Sequence, residues 1–199
     1  MEITSENIRQ LREKTGCGMM DCKVALTEAK GDFEQAIDVL RKKGMAAAAR
    51  RADRTAAQGI IESYIHTGGK IGVLAEVNCE TDFVALSADF QGFVKDLCMQ
   101  IAAANPQYVS RDEVPDSLIE HEKEIISTQA KTEGKPEKAL AKIIEGRLEK
   151  FYAEICLLDQ PFIRDQKLFI KDLLGSLVAK IGEKIVIRRF IRYQLGEKS

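Results

Sequence analysis

Apolar positions recur along the chain with two different periods, and the change from one to the other divides it. The first 44 residues are helical in period. Ile8 and Leu11 share a face three apart, with Thr4 or Ser5 as the cap and Thr15-Gly16 as the stop. After the tight Gly16-Cys17-Gly18 connection, Met20, Val24 and Ala25-Leu26 predict a second helix closed by Gly31. Asp32 opens a D-x-x-Q sequence ending at Gln35 that imitates a capping box, and Phe33, Ile37 and Leu40 stripe a third helix that Gly44 stops. Three helices of this length can enclose only a small core.

Residues 45–57 favour helix but offer no large apolar side chain beyond Met45, so they read as a helical or semi-ordered linker. Then the period becomes that of strands. Ile60–His66 and Ile71–Cys79 flank Thr67-Gly68-Gly69 as a hairpin. Phe90, Phe93, Val94, Leu97, Cys98 and Ile101 return to helical spacing, ended by Asn105-Pro106. Ser117-Leu118-Ile119-Glu120 reads as a capping box opening a helix that runs to Gly134. Pro136 starts another, lined by Leu140, Ile144, Leu148 and Phe151, and Pro161 marks a turn. Ile170, Leu173, Leu174, Leu177, Val178 and Ile181 stripe a last helix closed by Gly182, and β-branched Lys184–Leu195 forms a final strand pairing antiparallel with the hairpin. The expected class is α+β, divided as 1–44, a 45–57 linker and a 58–199 unit of small antiparallel sheet and helices.

Composition narrows the function more than the fold. In 199 residues, 30 Lys and Arg face 31 Asp and Glu for a net charge of −1, which argues against a broad phosphate-binding surface. No apolar run approaches the roughly 18–20 residues of a membrane span, and the polar, acidic start resembles no targeting segment. The five cysteines lie within apolar patterns without a CxxC, which predicts reduced core thiols in a cytoplasmic protein.

Signatures of catalysis are missing. His121-Glu122 begins like HExxH, but Ile125 stands where the second histidine belongs. Cys17 and Cys22 have no second ligand pair for zinc, and no Walker A sequence occurs. The expectation is a non-enzyme without metal or cofactor. Two other stretches stand out. In the adjacent pair Met19-Met20 only one side chain can point fully into a small core, leaving the other as a soft contact, unless both fill the core. In Glu80-Thr81-Asp82-Phe83-Val84 an apolar ring stands beside a carboxylate at a strand-to-helix junction. Either Phe83 protrudes as a contact, or Thr81 or Asp82 caps a helix that Phe83 staples to the core. The basic clusters Arg41, Lys42, Lys43, Arg50, Arg51, Arg54 and Arg188, Arg189, Arg192 read as solvated faces, the first with RNA as an alternative.

Those two stretches also carry a resemblance. LREKTGCGMMDCKVALTEAKGDFEQAIDVLRKKG, EVNCETDFV, GKPEKALAKIIEGRLEKF, QPF and IGEKIVIRRF together make essentially the whole chain similar to bacterial translation elongation factor Ts. The resemblance implies an N-terminal three-helix module of the ubiquitin-associated type. It implies guanine-nucleotide exchange on elongation factor Tu, in its GDP-bound and nucleotide-free states, in the cytoplasm. Arg12, Met19 and Met20 correspond to one contact with the partner's nucleotide-binding domain, and Ile181-Gly182 to another. Thr81, Asp82, Phe83 and Val84 correspond to the segment that dislodges the partner's magnesium ion, with the ring wedging between the partner's helices. The length matches the family's short form, with a single core unit. By analogy it pairs as a homodimer, and non-covalently, since Lys184–Leu195 holds no cysteine. No direct nucleic acid or membrane partner is expected. The competing reading is a ubiquitin-associated-like adaptor without exchange activity, for which the TDFV junction has no use.

Overall fold

The computed structural model describes residues 3–15, 17–51 and 53–197. Helices α1 (Ser5–Thr15), α2 (Met19–Glu28) and α3 (Phe33–Arg50) come first. Thr4 caps α1 by accepting the Asn7 amide at 3.2 Å, while its expected stop at Gly16 lies outside the described residues. Gly31 ends the turn after α2 at φ 87°, donating its amide to the Leu26 carbonyl at 2.9 Å. Asp32 accepts the Gln35 amide at 2.9 Å, as its sequence predicts. Leu11, Cys22, Ala25, Leu26, Ala36 and Leu40 close the small core between the three helices.

Gly44, expected to end α3, lies inside it. A Cβ at Gly44 would stand 3.0 Å from the Gly175 backbone carbon and oxygen, so the residue is small because two helices approach closely there. Helix α3 therefore carries on to Arg50, through half of the expected linker.

Strands β1 (Gln58–Ile65) and β2 (Ile71–Cys79) form the expected hairpin, turned by Gly68 and Gly69 at φ 91° and 68°. The one-turn helix α4 (Asp82–Ala85) and the long α5 (Ala88–Ala104) follow, and α5 ends on left-handed Asn105. Phe90, Val94, Leu97, Cys98 and Ile101 of α5 bury against Val73, Ala75, Val77 and Cys79 of β2, the main core.

Helices α6 (Asp116–Thr132) and α7 (Glu137–Ile155) make an antiparallel hairpin about Gly134. The expected capping box at Ser117 does not form. Pro115 begins α6 instead, its carbonyl accepting the Leu118 amide at 2.9 Å, which leaves Ser117 inside the first turn. Pro161, expected in a turn, begins the short strand β3 (Pro161–Phe162), paired antiparallel with β4 (Asp165–Phe169).

Helix α8 (Ile170–Ile181) ends at Gly182, φ 84°, and β5 (Val186–Gln194) completes a three-stranded sheet in the order β1-β2-β5, antiparallel to β2 as predicted. The fold is α+β. All five cysteines are unpaired and buried, and burial pushes Cys98 up to about 12 and Cys156 up to about 11. Among the described residues no helix is long and apolar enough to cross a membrane.

Candidate partner-binding site

Strand β2 delivers the chain to the junction at its buried last residue, Cys79. Thr81 is extended at φ −123° and caps α4, its hydroxyl oxygen accepting the Val84 amide at 3.3 Å. Ala85 is buried and Val84 packs half-buried on the main core, so these two anchor the turn. Phe83 does not staple it. Its ring is 84% exposed, and Leu86, three residues on, is exposed as well. The cap of one alternative therefore coexists with the protruding ring of the other.

The turn is tied to the segment after α8 by an exchange of carboxylates. Glu183 Oε2 accepts the Glu80 and Thr81 amides, each at 3.1 Å, and Oε1 accepts the Thr81 hydroxyl at 2.7 Å. In return Glu80 Oε1 accepts the Lys184 amide at 2.6 Å and Arg54 Nη1 at 3.3 Å. The Lys184 amide foremost, against partial burial and with help from Arg54, holds the Glu80 carboxyl below the usual carboxylate range. Thr81–Val84 and Ile181-Gly182 thus belong to one surface.

Arg12, Met19 and Met20 occupy another, on the last turn of α1 and the first turn of α2. Both methionines point outward, Met19 57% and Met20 69% exposed, so neither fills the core. The Cys22 sulfur lies 3.9 Å from both the Thr15 hydroxyl and the Cys17 carbonyl.

Helix α3 joins the two surfaces by docking on α8. Arg41 donates to Asp172 Oδ2 at 2.6 Å and to the Lys167 carbonyl at 2.8 Å, and Arg51 donates to the Gly182 carbonyl at 3.0 Å. Much of the first basic cluster therefore ties helices and turns together, with Lys43 paired to Glu28 at 3.3 Å. The side chain of Arg50 lies outside the described residues. In the second cluster Arg189 pairs with Glu76 at 2.8 Å and Arg192 donates to the Ala102 carbonyl at 3.3 Å. Among the described residues no group of three or more His, Cys, Asp or Glu could hold a metal ion.

Sequence reasoning misses Leu86 and the pair Glu80–Glu183. Leu86 carries a legible signal, since it follows Phe83 at helical spacing. The pairing of Glu80 with Glu183 spans about a hundred residues, and no local pattern encodes it.

A family model described as Elongation factor TS matches residues 21–197, a span that Arg12, Met19 and Met20 precede. A relative from Caldanaerobacter subterraneus subsp. tengcongensis, named Elongation factor Ts, is 60% identical over 195 residues, covering 98% of each chain. Relatives of the same name from Thermoanaerobacter sp. (strain X514) and Carboxydothermus hydrogenoformans are 58% identical over 195 residues, covering 98% of this chain and 96% and 90% of theirs. A match of this extent leaves one assignment: the chain belongs to the elongation factor Ts family.

Proposed function

We propose that the chain carries out its family's reaction, guanine-nucleotide exchange on elongation factor Tu during translation elongation, through two protruding apolar contacts, Met19-Met20 and Phe83. The observation that carries this reading is the exposure of the Phe83 ring on an anchored turn. A nucleoside diphosphate and its magnesium ion are held by charge and by oriented backbone amides. A protein speeds their departure only by binding more tightly to a partner conformation that holds them poorly. Burying a phenylalanine side chain releases about 1.5–3 kcal/mol, available to offset such a distortion. Thr81, Asp82 and Val84 present the ring, Asp82 offers a carboxylate to the partner's backbone or a cation, and Ile181-Gly182 widens the contact. Arg12 and the methionines hold the partner's nucleotide-binding domain at a second point. Coupling is reciprocal: bound GDP weakens the factor's binding by the same ratio that the factor weakens GDP.

The chain makes and breaks no covalent bond in this role, and it acts in the cytoplasm. Residues 1–44 and 58–199 serve as two modules connected by 45–57, and the docking of α3 on α8 through Arg41 and Gly44 sets their spacing. The outer face of the three-stranded sheet supports a homodimer. Ile61 and Ile65 of β1, Leu74 of β2, and Ile191 and Tyr193 of β5 are all exposed there, with Leu74 directly opposite Ile191. Sedimentation at micromolar concentration tests it, and a monomer that still exchanges nucleotide removes the dimer. Release of fluorescent GDP from elongation factor Tu tests the main reading. Phe83→Ala is expected to slow stimulated release while the variant stays folded. An adaptor without exchange activity would leave release at its unstimulated rate even with the unsubstituted chain.

A further inference from the structure

We propose that Glu183 is a positioning residue for nucleotide exchange, presetting the turn that carries Phe83; this rests on the reading of Phe83 as the exchange contact. The turn cannot set itself. Helix α4 has four residues, too few to be stable alone, and an exposed ring contributes nothing to holding it. The amides at issue also lie beyond the sheet, since β2 ends at Cys79 and β5 begins at Val186. Glu183 takes three donors from the turn, the amides of Glu80 and Thr81 and the Thr81 hydroxyl.

The hydroxyl is the link that reaches the ring. By donating to Glu183 at 2.7 Å, Thr81 aims its remaining lone pairs away from the carboxylate, where one accepts the Val84 amide at 3.3 Å. A continuous path therefore runs from Glu183 through Thr81 to the residue beside Phe83. Glu80 locks the reverse direction by accepting the Lys184 amide at 2.6 Å, so each turn's carboxylate satisfies an amide of the other. Left-handed Gly182, φ 84°, sets the direction in which the chain leaves α8 toward Glu183. When a competent conformation is only partly populated, apparent affinity falls by that fraction. Removing Glu183 leaves the ring in place but presents it for less of the time.

The test is a double-mutant cycle on the full chain, reading stimulated release of fluorescent GDP from elongation factor Tu together with thermal unfolding and amide exchange. Glu183→Ala is expected to slow release about tenfold, the equivalent of one charge-assisted hydrogen bond, and to speed amide exchange at Glu80 and Thr81. Glu183→Gln, whose carbonyl oxygen can still accept both amides but whose amide nitrogen cannot accept the Thr81 hydroxyl, is expected to recover only part of the rate. In a Phe83→Ala background, Glu183→Ala adds nothing further. If Glu183→Ala lowers only the unfolding temperature, or its effect adds in full to that of Phe83→Ala, the positioning role is overturned. If Phe83→Ala alone leaves release unchanged, the exchange reading of Phe83 fails first, and the positioning role falls with it. Should Glu183→Ala not fold, Glu183→Asp, one methylene shorter, takes its place in the same cycle with a smaller expected loss.

Discussion

Met19-Met20 and Phe83 are both apolar contacts raised above the surface, yet they are built by opposite means. The methionines stand on the first turn of a helix whose cap, Gly18, makes no side-chain hydrogen bond. Their thioethers rotate about three bonds each and adapt to what they meet. Phe83 has two side-chain torsions and stands on a turn held by Thr81, Val84, Ala85 and Glu183. An adaptable contact suits grip on a partner that changes shape. A rigid one suits displacement, because a ring that yields cannot distort its neighbour. Under the proposed function, the difference divides the work, with affinity falling to the N-terminal helices and the exchange step to the junction after β2.

Four experiments sharpen or break that division. The largest effect is expected from Leu26→Ala, which empties a fully buried position of the small N-terminal core and costs about 2–5 kcal/mol. Circular dichroism melts should show the three helices lost at a lower temperature, while exchange persists at saturating factor. Complete loss of exchange there would mean the two surfaces act as one. Next, Phe83→Ala is expected to slow stimulated GDP release by about ten- to a hundredfold, matching the burial of its side chain in the partner. Its unfolding temperature should stay nearly unchanged, because the residue is 84% exposed in the free chain. Third, Met19→Ala with Met20→Ala should raise the dissociation rate of the complex roughly five- to tenfold, with little change in stability. A large stability loss would return the methionines to a core role.

The smallest effect concerns pH. Burial raises the Asp159 carboxyl, but Arg111 at 2.8 Å and Lys171 at 2.9 Å outweigh it and hold it low, and Arg111 chiefly lowers Glu149. Glu80 is also lowered. Groups depressed in the folded state contribute stability above their unfolded values, about 3.9 for Asp and 4.3 for Glu, and lose it as pH falls through the folded ones. Unfolding temperature should therefore hold from pH 7 to about 5 and decline below about 4. The turn carrying Phe83, held in part by the Glu80 carboxylate, should loosen in the same window.

The elements with strong periodicity are legible in the amino-acid order alone. The hairpin, the α5 stripe, the helix closed by Gly182 and the antiparallel last strand all follow from spacing and turn residues. The junction's residues also point to contact, but they do not say whether Phe83 faces in or out. Three signals mislead for one reason: each residue type has two uses, and only the third dimension selects between them. Gly44 could end a helix or admit a neighbouring one, and Gly175 selects the second. Pro161 could turn the chain or start a strand, and its pairing with Phe169 selects the strand. Ser117 could cap α6, but Pro115 takes that place two residues earlier. Arg41, Arg51 and Arg54 resemble a solvated face because their partners Asp172, Gly182 and Glu80 are distant in sequence.

The buried thiols have a use of their own. A cysteine reacts as its thiolate, and in the closed molecule burial denies each one both the charge and the access. Modification must wait for the chain to open, so its rate is a clock. Cys17 and Cys22 keep time for the N-terminal helices, and Cys79, Cys98 and Cys156 for the remainder. Labelling with a thiol reagent and mass spectrometry of the peptides would show which half breathes first, with no cysteine introduced.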